Sequence, residues 1–144
     1  MFRPGRLLCG VAGLLFCTVT LAARQTPAPA RTTKDGVYTK EQATAGKSTF
    51  DKFCASCHLF KPAEKPSLNP DLGGDPFFTS WNGRTVKDLQ TIILQTMPND
   101  GSAVLTPAQT VEVVAYILQQ NGFAPGATPL PEGDAAAAIT IARQ

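Results

Sequence analysis

The chain has 144 residues, the length of about one domain, and its 43% hydrophobic and 17% charged composition excludes a disordered chain. A formal charge of +2 provides neither a basic surface for nucleic acid nor an acidic tail. Four Cys, one His and two Met are few enough that their positions decide the chemistry.

Arg3 and Arg6 precede a mostly apolar run over residues 7–23 that ends in Thr20, Leu21, Ala22 and Ala23. This order of basic, apolar and small residues predicts a secretory signal at residues 1–23, removed after Ala22 or Ala23, and a periplasmic mature protein without a membrane span. An uncleaved N-terminal anchor is the alternative, but the run is at the short limit for a span, and Gly10 and Gly13 interrupt it. Cleavage removes Met1, Cys9 and Cys17, and takes Arg3 and Arg6 from the 13 basic residues, leaving 11 against 11 acidic ones. Cys54, Cys57, His58 and Met97 are then the only residues of their types.

Residues 24–37 carry little apolar content and read as an extended linker. A folded domain is predicted over residues 38–122. Thr39 and Gln42 have capping-box spacing and open a first helix, on which Ala43, Gly46, Phe50 and Phe53 share a face. Gly46 costs about 1 kcal/mol in mid-helix relative to Ala, so another backbone is expected to pass close to it. Residues 59–79 are rich in Pro, Gly and Asp and predict a long loop, of the kind that wraps a functional or non-protein core. Thr85 caps a second helix with Asp88 at N3, a face of Val86, Leu89, Ile92 and Ile93, and a stop near Thr96 before Pro98. Thr106 and Gln109 box the start of a third, with Pro107 at N1 and a stripe of Val113, Val114, Ile117 and Leu118 flanked by Tyr116. Residues 123–144 form a Pro-rich extension, expected to lie over the surface with one helical turn near Asp134. No stretch alternates well enough for a sheet.

Cys54-Ala55-Ser56-Cys57-His58 is the C-x-x-C-H sequence of covalent haem attachment, in which two thiols meet the vinyl groups of one porphyrin and the adjacent imidazole binds iron. A Cys54–Cys57 disulfide would close a very short loop and leave His58 without a role. A thioredoxin-like pair needs a strand-helix-strand setting, and a zinc site needs about four Cys and His ligands where the mature chain has three. With His58 used, the second axial ligand falls to Met97, next to Pro98 at a helix end; a gap-filling core methionine is the alternative. Thioether ligation favours ferrous iron and a relatively high potential. Phe50, Phe53, Leu72, Phe77, Phe78, Leu89, Ile93 and Leu105 are the candidate lining of an apolar haem crevice.

The sequence from Cys54 to His58, Met97-Pro98, Gly46 and Phe50 on the first helix and Tyr116 on the last resembles a class I c-type cytochrome over residues 38–122. The fold expected is all-α and cytochrome c-like, three main helices with long loops wrapped around one covalently attached haem c and its iron. In that family the glycine and aromatic of the first helix pack against the aromatic of the last. Residues 70–78 followed by Trp81 are similar to a loop of small cytochromes associated with quinoprotein dehydrogenases. That likeness implies a Pro70 carbonyl accepting from the His58 ring, Leu72 on the haem face, and Trp81 near a propionate, with ordinary core packing the alternative for Trp81. Leu59 and Phe60 depart from the glycine that commonly follows the haem histidine. The function implied is that of an electron carrier, not an enzyme, serving as a monomer between redox partner proteins such as a periplasmic dehydrogenase or a membrane respiratory complex. A haem subunit fixed in a quinoprotein dehydrogenase or oxidase complex is the alternative, followed by a haem enzyme or gas sensor with an open sixth site.

Overall fold

The computed structural model describes residues 30–61 and 69–144. The expected signal segment, the start of the expected linker and residues 62–68 lie outside them. Four α-helices carry the described fold: α1 (Lys40–Phe53), α2 (Gly74–Trp81), α3 (Val86–Thr96) and α4 (Pro107–Gln120). A short strand β1 (Arg31–Thr32) pairs in parallel with β2 (Ile139–Thr140), and 3-10 turns occupy Thr33–Asp35 and Gly133–Ala138.

The caps that start α1, α3 and α4 form as their sequences dictate. The Thr39 hydroxyl accepts from the Gln42 N–H at 3.3 Å, while the Gln42 side chain accepts from the Thr39 N–H at 3.1 Å. Thr85 with Asp88 and Thr106 with Gln109 repeat the arrangement, each cap being worth about 1 kcal/mol. The Thr85 N–H, and then its hydroxyl, hold the Asp88 carboxyl below the usual aspartate value. The cap therefore contributes stability that is full above the ordinary aspartate pKa and is lost as pH falls through the lowered folded one. Asp88→Asn is expected to lower the melting temperature at neutral pH and to make the acid decline shallower; thermal melts as steep in pH as those of the wild type would contradict it.

Helices α1 and α4 cross where Gly46 meets the carbonyl of Glu112, so closely that a Cβ at position 46 would overlap that backbone. This is the close approach that a mid-helix glycine implied. One turn further on, Phe50 meets Tyr116 edge-on with centroids 5.4 Å apart. The core spans this crossing, the apolar faces of α2 and α3, and the C-terminal segment.

Three expectations are corrected. The loop predicted over residues 59–79 contains α2. Its Gly and Pro density reads as a helix breaker, yet Pro76 sits in the first turn, where its missing N–H has no intrahelical partner to lose. Phe77, Phe78 and Trp81 then bury one face. The extension at 123–144 does not merely cover the surface: Phe123, Leu130, Ala136, Ile139 and Ile141 are buried, and Ile139–Thr140 supplies a strand where none was expected. The 3-10 turn at Gly133–Ala138 matches the helical turn expected near Asp134. At the other end, residues 31–37 are no free linker, since Thr33 and Val37 are fully buried and β1 pairs with β2. The Tyr38 hydroxyl donates to the Phe123 carbonyl and the Gly126 N–H to the Tyr38 carbonyl, joining both ends of the fold.

Candidate haem crevice

Helix α1 ends by delivering the sequence motif. The Cys54 N–H still donates to the Phe50 carbonyl at 2.8 Å, closing the last helical turn. The chain then curls on itself, with the N–H groups of Cys57 and His58 both donating to the Cys54 carbonyl at 3.0 and 2.9 Å. This turn gathers two thiols and an imidazole at one end of a helix. Both thiols are free; Cys54 is buried and Cys57 exposed. Burial, and secondarily the charge of Cys57, push the Cys54 thiol above its ordinary pKa.

His58 Nδ1 lies 2.9 Å from the Pro70 carbonyl oxygen. A carbonyl only accepts, so Nδ1 carries a proton, and the neutral tautomer with that geometry presents its lone pair on Nε2, as a metal-binding imidazole requires. The carbonyl is held in place by its surroundings. The Leu72 N–H donates to the Leu59 carbonyl at 2.7 Å, and Gly73 passes so close to the Phe60 carbonyl that a Cβ there would overlap it. Phe60 in turn packs on Phe50 and Tyr116, with centroids 4.8 and 5.4 Å away. The Leu59-Phe60 departure from the family's glycine thus adds a third ring to the aromatic contact.

The other support is Asn121, the C-cap of α4. Its side chain accepts from the Gly74 N–H at 3.0 Å and donates to the carbonyls of Leu72 and Ile117 at 2.8 and 2.9 Å. These loop partners lie far away in sequence, so no local signal reveals them. Asn121→Leu is expected to cost about 2 kcal/mol, because it strands polar groups that the amide satisfied. Chemical denaturation measures it, and a change under 0.5 kcal/mol would deny Asn121 this role.

His58, Cys54, Cys57, Pro70, Leu72, Trp81 and Met97 all line one crevice of about 760 Å³, part of which opens to solvent. The attachment, ligand and loop residues expected at the site are therefore brought together. The remaining lining is mostly apolar: Phe50 and Phe53 from α1, Leu89, Ile92 and Ile93 from α3, Val113 and Ile117 from α4. Pro98, Asn99 and Asp100 complete it. Phe77, Phe78 and Leu105, expected in the lining, are buried in the core without lining it, while Ile92, Pro98, Asn99, Asp100, Val113 and Ile117 line it without having been expected there. Met97 is the C-cap of α3, its N–H donating to the Ile93 carbonyl at 3.0 Å, and it is half-buried. Trp81 carries the Arg84 guanidinium over its ring, 4.4 Å from the centroid.

A crevice lined mostly by apolar side chains from several helices suits a large, flat, mostly apolar group. The donor set suits haem: two thiols for attachment, and an imidazole with its tautomer fixed for iron. Fold and crevice together define a class I c-type cytochrome. The family model described as cytochrome c oxidase, cbb3-type, subunit III matches residues 41–117, more than half of the chain, and the chain belongs to that family. Neither a curated protein nor a solved structure matches it. The protein is accordingly a haem-binding electron-transfer cytochrome whose cofactor is covalently bound haem c with iron. Among the described residues, no helix is long and apolar enough to cross a membrane.

Proposed function

We propose that the protein is a periplasmic monohaem electron carrier in which His58 and Met97 are the two axial ligands. The observation that carries this reading is that one crevice takes lining from both residues, one following α1 and the other capping α3. When bound, haem c supplies a one-electron ferric/ferrous couple.

The chain's own residues do the rest. Cys54 and Cys57 tether the cofactor, and the Pro70 carbonyl orients the His58 imidazole and raises its basicity. Leu72, Leu89 and Ile93 exclude water, which keeps the local dielectric low and the reorganisation on electron gain small. Trp81, steadied by Arg84 over its ring, would serve the propionate end. Cys57, exposed at the crevice, marks the edge at which a redox partner approaches. With His58 and Met97 both engaged in holding the group, no open position would remain for a small-molecule substrate, which supports a carrier over an enzyme. The signal-like order of residues 1–23 supports export. The partners proposed are a periplasmic dehydrogenase or a membrane respiratory complex.

The matured protein is expected to titrate as a single one-electron couple and, when ferrous, to bind no carbon monoxide at neutral pH. Ready carbon monoxide binding would point to an open sixth site and overturn the carrier reading. The family's description favours a second reading, a haem subunit held in an oxidase assembly. Gel filtration of the native protein separates the two: a monomer supports the carrier, and constant co-elution with a larger complex supports the subunit.

A further inference from the structure

The segment following α4 lies beyond the family match, yet it grips the helix that ends in Met97. Gln90, on α3, is 6% exposed and uses both ends of its amide on this segment. Its Nε2 donates to the Pro131 carbonyl at 2.8 Å, and its Oε1 accepts from the Gly133 N–H at 3.2 Å. The adjoining Leu130 is held the same way from α1, with Gln42 accepting from its N–H at 2.8 Å and donating to its carbonyl at 3.1 Å. Further along, Ile141 exchanges backbone hydrogen bonds with Gly83 and Arg84, both at 2.8 Å, just ahead of the α3 cap. Lys87 and Asp134 pair at 2.6 Å on the surface between these points.

Helix α3 is therefore clamped over its N-terminal half, whereas its C-terminal end runs into the exposed turn at residues 99–102. Gln90 and Met97 are separated by two helical turns, about 10 Å along the axis. A helix is stiff over that length, so a shift at Gln90 reaches Met97. We propose that residues 130–141 form a strap that positions Met97 against the cofactor, with Gln90 as the positioning residue. The inference rests on the His58 and Met97 ligation above.

Cyanide binding to the matured ferric protein, followed by stopped flow, tests the strap, because cyanide enters only when the methionine lets go. Gln90→Leu removes both hydrogen bonds, and Gln90→Asn, which shortens the arm, decides the matter if the first variant fails to fold. Gln90→Leu is expected to bind cyanide about tenfold faster, the shift in a local opening equilibrium that follows loss of a buried hydrogen-bonded pair, with Gln90→Asn in between. Val111→Ala, a buried change on α4 outside the crevice lining, is the control for general loosening and is expected to stay within about twofold of wild type after loss of stability. Wild-type rates in both Gln90 variants, or equal acceleration in Val111→Ala, would overturn the strap alone. A wild-type ferric spectrum without a methionine-to-iron charge-transfer band would overturn the ligation as well.

Discussion

Met97→Ala is expected to abolish the methionine-to-ferric-iron charge-transfer band and to lower the reduction potential on the order of 0.2 V, within the ~0.8 V span that axial ligands command. The sign follows from softness. A thioether stabilises ferrous iron, and the water or stronger donor that replaces it favours the ferric state. Met97 is suited to this task by position, since it caps α3, lines the crevice and is half-buried. The variant is expected to keep its fold, because the Met97 N–H bond to Ile93 is made by backbone and survives truncation of the side chain. Its ferrous form is expected to bind carbon monoxide where the wild type does not. An unchanged spectrum and potential would remove Met97 from the ligand set.

The largest structural effect is expected from replacing Cys54 and Cys57 together by alanine, which removes the covalent attachment of the cofactor. Phe50, Phe53, Leu72, Leu89 and Ile93 would then face a crevice with no cofactor held between them. At ~24 cal/mol per Å³, a dry cavity of about 100 Å³ there costs about 2 kcal/mol, against total stabilities of about 5–15 kcal/mol for such domains. The variant is expected to lose its near-ultraviolet circular dichroism and its cooperative melt while keeping part of its helix signal. A sharp thermal transition at the wild-type temperature would show that the fold does not depend on the haem.

What could be read before the structure is what local physics determines. Thr39, Thr85 and Thr106 name their helix starts because a cap needs only its own N3 partner. Gly46 announces the α1–α4 crossing because nothing else explains its cost in mid-helix. The Cys54 to His58 motif carries its chemistry in five consecutive residues. Helix α2 was hidden because Gly73, Gly74 and Pro76 signal a break while its buried face rests on three aromatics within little more than one turn. The C-terminal segment was hidden for a related reason: Phe123, Leu130, Ala136, Ile139 and Ile141 have no common period, and their burial depends on helices formed much earlier in the chain. Asn121, Gln42 and Gln90 belong to the same class, since each holds backbone more than forty residues away. Tertiary contacts of this kind leave no trace in a local window.

The account depends most on the linkage at Cys54 and Cys57, and an alkaline pyridine haemochrome spectrum of protein matured in a cytochrome c-competent host measures it directly. One haem per chain, with the absorption of a porphyrin whose two vinyl groups are both saturated and colour that stays with the protein in acid acetone, is the predicted result. Colour that passes wholly into the solvent, or a spectrum with both vinyl groups intact, would contradict it.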